Sequence, residues 1–112
     1  MAKKRKYSNK ITMLDGMTFD SKKEANYYAE LKMLKMAGEI VDIRCQVPFE
    51  LQPKFNHNGK EIRAIKYIAD FVVTYADGKQ KVIDVKGYKT DVYTLKMKML
   101  LYKYPHLNFE EK

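Results

Sequence analysis

Two segments that set acids inside β-branched and aromatic runs constrain this chain most. They are Tyr67-Ile68-Ala69-Asp70-Phe71-Val72-Val73 and Val82-Ile83-Asp84-Val85-Lys86-Gly87. Apolar runs of this length, bounded by turn residues, read as strands. A carboxylate inside such a strand is costly unless it is paired or binds a metal. Strand side chains alternate between faces, so Asp84 and Lys86 share one. Whether Asp70 joins them depends on the connection. A two-residue loop, Asp77-Gly78, would set Asp70 against Val85. A three-residue loop, Ala76-Asp77-Gly78, sets Tyr75 against Lys79 and Asp70 against Asp84. Ala76 and Asp77 suit a type I turn, and Gly78 suits the left-handed bulge position that follows it, so the sequence predicts the second register.

In that register one face carries Asp70, Val72, Thr74, Val82, Asp84 and Lys86, and the other carries Tyr67, Ala69, Phe71, Val73, Ile83 and Val85. Two facing carboxylates form a hard-oxygen site suited to Mg²⁺ or Mn²⁺. A lysine beside them can orient or deprotonate water, or stabilise charge on a phosphate. The competing reading is a salt bridge on a solvated sheet face. Against it, the strands are apolar on both sides, which does not suit half exposure.

The rest of the chain supplies a scaffold for this hairpin. Ser21 with Glu24 three residues on has capping-box spacing, and a helix is predicted from there to Ala37, stopped by Gly38. Glu24 lies on the line of Tyr28 and Leu31, so it points at the sheet as well as serving the cap. Residues 40–46 read as a strand that Pro48 interrupts. Residues 49–55 form a second extended stretch, and Asn58-Gly59 marks a turn. Residues 62–75 and 81–86 are the two acid-bearing strands. Thr90 caps a second helix that runs to Lys103, Pro105 stops it, and residues 107–109 form a short last strand. The expected fold is α/β, a mixed sheet flanked by helices. Residues 1–13 read as a flexible basic arm and residues 14–112 as one domain.

Charge points the same way as the acids. The 22 basic and 14 acidic residues leave +8, an excess that attracts polyanions such as nucleic acid. The single cysteine, Cys45, excludes an internal disulfide and fits a reducing cytoplasm. It sits in an apolar stretch and reads as core rather than nucleophile. The two histidines, His57 and His106, lack zinc-ligand spacing. No apolar run reaches the ~18 residues of a membrane helix, and no apolar segment follows Lys3-Lys4-Arg5-Lys6 as a signal peptide requires.

A helix bearing Glu24, Asp70 on one strand, Asp84-Val85-Lys86 on the next and then a helix resembles the PD-(D/E)XK nuclease superfamily. That group includes restriction endonucleases, Holliday-junction resolvases and transposon-end nucleases. Adding Phe19-Asp20-Ser21-Lys22-Lys23-Glu24-Ala25 and Gln46-Val47-Pro48-Phe49, residues 14–104 are similar to a short phage-encoded family of undefined function. Ala69 stands where the motif's name has proline. The resemblance implies a restriction-endonuclease-like core of order αβββαβ and metal-dependent cleavage of DNA, branched or recombining phage DNA in particular. It implies Asp70 and Asp84 as ligands of Mg²⁺ or Mn²⁺, the Val85 carbonyl as a third, and Glu24 completing the shell. Lys86 would position the attacking water. Gln46, Lys89, Lys96 and the arm residues Lys3, Lys4, Arg5 and Lys6 would contact DNA, although Gln46 also suits a partner for strand backbone and Lys96 reads first as a snorkelling surface lysine. A homodimer is the expected assembly. The alternative is a nucleic-acid-binding module that keeps the fold without the activity.

Overall fold

The computed structural model describes residues 12–14, 17–19, 21–86 and 88–112. Residues 1–11 of the expected basic arm and the turn expected at Asp15-Gly16 lie outside them, while the arm's last two residues, Thr12 and Met13, open a short strand. A hairpin of β1 (Thr12–Leu14) and β2 (Met17–Phe19) leads into α1 (Lys22–Met36). The Ser21 hydroxyl accepts from the Glu24 N–H at 3.1 Å, so the predicted cap forms. β3 (Ile40–Gln52) follows, then a small hairpin of β4 (Phe55–His57) and β5 (Lys60–Ile62), whose Asn58 and Gly59 adopt φ of +50° and +76°. β6 (Ile65–Tyr75), β7 (Gln80–Asp84), α2 (Asp91–Lys103, capped by the Thr90 hydroxyl) and β8 (Phe109–Glu111) complete the chain.

The main sheet has the order β3-β6-β7-β8, antiparallel except for the parallel β7–β8 pair, and a helix covers each face. This is the mixed α/β sheet flanked by two helices that the sequence predicts. The full element order is ββαβββββαβ, with two minor hairpins beside the main sheet, and the last strand sits at Phe109–Glu111 rather than at 107–109.

Pro48 does not interrupt β3. Among the described residues the strand lies at the sheet edge and pairs with β6 alone, so a residue without an N–H costs no ladder bond on the other side. The β6–β7 register is the predicted one, with Thr74 opposite Gln80 and Phe71 opposite Ile83. Gly78 takes φ +88°, and the Tyr75 N–H donates to the Lys79 carbonyl at 2.8 Å. Only glycine enters that left-handed position without a steric penalty.

The two-face assignment needs correction. Phe71, Val73, Ile83 and Val85 pack under α1 with Ala25, Tyr28 and Leu31, as the sequence predicts. Tyr67 and Ala69 do not join them. They pack with Val47, Val72, Val82 and Leu100 under α2. The alternation therefore slips between Ala69 and Phe71. In β3 it slips between Cys45, which lies against the α1 cluster, and Val47, which lies in the α2 cluster. Cys45 opposes Phe71 and Val47 opposes Ala69, so both strands shift phase at one level and their register survives. Gln46 marks the slip with φ +53°. The acid-bearing face is also a core face: Val72 and Val82 are 4% and 2% exposed.

Candidate active site

Asp70 and Asp84 meet where the β6–β7 ladder ends. The Asp70 N–H donates to Asp84 Oδ1 at 2.9 Å, and the Val85 N–H donates to Asp70 Oδ2 at 2.8 Å. Each carboxylate thus satisfies a backbone donor of the opposite strand, in place of the ladder bond that would otherwise sit there. Both acids are buried, Asp84 completely. Asp84 Oδ2 is buried with no hydrogen-bond partner among the described residues. Burial pushes the Asp84 carboxyl above its ordinary range, and Glu111 adds to the rise, while the Lys86 ammonium and the Asp70 N–H oppose it.

Lys86 lies on the same side as both acids, as its spacing predicts. Its Nζ is 3.9 Å from Asp70 Oδ2 and 4.0 Å from Asp84 Oδ1, and 4.9 Å from the centre of the Tyr93 ring. The ring presents its negative face to the ammonium, which holds the flexible side chain over the acids. The Lys86 carbonyl accepts from Lys23 Nζ at 3.1 Å, tying the segment to the first turn of α1.

Glu24 reaches the sheet from that same turn and is 4% exposed. Gln46, opposite Asp70 at the pleat slip, donates from Nε2 to Glu24 Oε2 at 3.1 Å. Burial raises the Cys45 thiol, with Glu24 first and then Asp70 adding to it, so both carboxylates lie within electrostatic reach of that sulfur. Gln46 therefore bonds a carboxylate and not strand backbone.

Sequence reading missed the network that backs the site. Glu111 follows Asp84 across the parallel β7–β8 pair, where the Lys112 N–H donates to the Asp84 carbonyl at 2.7 Å. The Tyr93 hydroxyl donates to Glu111 Oε2 at 2.6 Å and Lys89 Nζ to Oε1 at 3.3 Å. The Tyr93 bond holds the Glu111 carboxyl below its ordinary range, and burial together with that bond raises the Tyr93 phenol. Residue 111 lies too far along the chain from Asp84 for any local pattern to signal the contact.

Lys89 is mostly exposed beside this network. Lys96 is half-buried on α2 and has no hydrogen bond or ion pair among the described residues. Lys3, Lys4, Arg5 and Lys6 lie outside the described residues. A cavity of about 540 Å³ over β3, β6 and β7, bordered by Arg44, Gln80, His106 and Asn108, includes none of the acids.

No group of three or more His, Cys, Asp or Glu side chains among the described residues could hold a metal ion. Two carboxylates are nonetheless a sufficient protein share for Mg²⁺, which retains several waters. Asp84 Oδ2, without a hydrogen-bond partner among the described residues, is a hard oxygen that such an ion could take. Asp70 and Asp84 thus fit such an ion.

Residues 4–111 match the family described as "Protein of unknown function (DUF1064)". The chain belongs to that family. No curated protein and no solved structure matches it. In this member of the family the matched stretch contains Glu24, Gln46, Asp70, Asp84, Lys86, Lys89, Tyr93 and Glu111.

Proposed function

We propose that this protein is a metal-dependent endonuclease that hydrolyses DNA phosphodiester bonds, on branched or recombining phage DNA in a bacterial cytoplasm. The observation that carries the reading is the Asp70–Asp84 pair with Lys86 Nζ about equidistant from both, one carboxylate oxygen of the pair being buried and unpartnered. A carboxylate at 0% exposure with one oxygen lacking a hydrogen-bond donor is a standing cost to the fold, which a cation would relieve.

Asp70 and Asp84 would hold Mg²⁺ or Mn²⁺, with the Val85 carbonyl able to add a third oxygen. When bound there, the ion supplies Lewis-acid stabilisation of charge on the phosphodiester. Lys86 keeps its ammonium over the acids and orients water or a phosphate oxygen at Nζ. Tyr93 and the acid pair fix its direction. Glu24, held by Gln46, would accept a hydrogen bond from water bound beside the acid pair. Lys23 and Lys89 flank these groups and, with the overall charge of +8, draw a phosphate backbone toward them.

The test is incubation of the protein with labelled four-way junction, flap, linear duplex and single-stranded DNA in Mg²⁺ and in Mn²⁺. Cleavage lost in Asp84→Asn supports the reading, and the best-cut substrate names the preferred structure. A second reading, a DNA-binding module without activity, is favoured by the lack of a third ligand side chain in the cluster. It predicts binding without cleavage and affinity unchanged by Asp84→Asn.

A further inference from the structure

Helix α2 carries two apolar stripes; the domain covers one, and of the other it covers only Met99. At ~100° per residue, Tyr93, Met97, Leu100 and Tyr104 form one line, and Val92, Leu95, Met99 and Tyr102 form another roughly 150° away. The first line packs on the sheet beside Tyr67, Val72 and Val82. The second has the spacing of a seam that packs on another helix. Val92, Leu95 and Tyr102 are 62%, 60% and 90% exposed. Tyr102 and the half-buried Met99 border a groove of about 390 Å³ with Leu51 of β3, and Lys98 and Lys103 line its rim.

Charge decides what fits there. The helical angles place Lys98 on one edge of the seam and Lys96 and Lys103 on the other. Asp91 is the lone acid of the helix. A second copy of α2 would bring lysine against lysine along most of the contact. The chain's own first eleven residues hold five cations and no anion, so they do not suit this rim either. A phosphate backbone would meet the lysines but leave Val92 and Leu95 against polar surface. We infer that this face docks an acidic amphipathic helix of a protein partner, with apolar side chains in the seam and Asp or Glu facing Lys96, Lys98 and Lys103. None of these residues belongs to the acid cluster, and only Lys96 has a place in the nuclease reading, as an expected DNA contact.

The probe is a labelled helical peptide of about three heptads, leucine in the seam and glutamate on the flanks. Matched peptides carry glutamine or lysine on the flanks. Fluorescence anisotropy with the full chain should show the acidic peptide binding at least about tenfold more tightly than the glutamine peptide, the gap narrowing in high salt. Leu95→Asp should abolish binding. The double variant Lys98→Glu/Lys103→Glu should lose the acidic peptide and gain the lysine peptide, a reversal that misfolding cannot produce. Four results would overturn the inference: no binding, equal affinity for the acidic and glutamine peptides, displacement of the peptide by DNA that itself depends on Leu95, or a wild-type dimer in sedimentation that Leu95→Asp dissociates.

Discussion

Asp84→Asn separates the cost of the buried acid from its use. Asparagine keeps a carbonyl oxygen for the Asp70 N–H, now bonded at 2.9 Å, and puts a neutral amide where an anion stood without a partner for Oδ2. A buried polar group left unsatisfied costs about 1–3 kcal/mol, and more when charged. The variant gives up attraction to Lys86, which keeps Asp70 at 3.9 Å. In chelator the variant should therefore be the more stable protein by about 1–2 kcal/mol, or roughly 4–8 °C in Tm for a domain of this size. Added Mn²⁺ should reverse the order. The wild type gains about 2.7 kcal/mol at a hundred times Kd, and the variant gains little. Acidity supplies a second check. The folded Asp84 carboxyl titrates above its ordinary value of 3.8. Its burial therefore costs stability fully above the folded pKa, and progressively less as pH falls from there toward 3.8. The gap between the variant and the wild type in chelator should close on acidification. Melting curves of both proteins, with chelator and with Mn²⁺, at neutral and acid pH, read all three effects. A wild type more stable than the variant in chelator at neutral pH would refute the reasoning, as would equal stabilisation of both by Mn²⁺.

Lys86→Ala should cut cleavage by about two or more orders of magnitude while leaving DNA affinity nearly intact; it should also lower Tm in chelator, where two buried acids lose their counterion, and recover in Mn²⁺. An active variant would remove Lys86 from the chemistry. Deleting residues 1–6 should flatten the slope of log affinity against log salt by up to about 0.9 for each phosphate that the arm neutralises, and an unchanged slope in a filter-binding titration would assign the arm no role in DNA binding. Gly78→Ala should cost about 1–2 kcal/mol in chemical denaturation, because φ of +88° is strained for any side chain with a Cβ; a neutral result would mean that the turn relaxes without disturbing the register.

What the sequence made legible was local. The Ser21 and Thr90 caps, the Ala76-Asp77-Gly78 loop and the pairing it sets are each decided within a few residues, and each forms as predicted. Asp70, Asp84 and Lys86 came together because that loop fixes their register. Non-local partners set the rest. Pro48 ends a strand in the usual case, but here no described strand lies on its far side, and nothing near residue 48 announces an edge. The phase slip at Gln46 and Asp70 needs two strands to yield together, so a rule of strict alternation in either one passes over it. Glu111 reaches the site through a parallel pairing that closes only when α2 has crossed the sheet.

The slip also explains where an acid can be placed in such a strand. From Phe71 to Val73 every residue of β6 is buried, so any charge there would displace a packed side chain. Between Ala69 and Phe71 the strand changes allegiance from the cluster under α2 to the cluster under α1. The residue at that fault owes nothing to either cluster, and it is Asp70. A dislocation in a crystal gathers the impurities that the perfect lattice rejects; this sheet holds its buried acid at its own line defect, where polarity comes at the least expense to the packing on both sides.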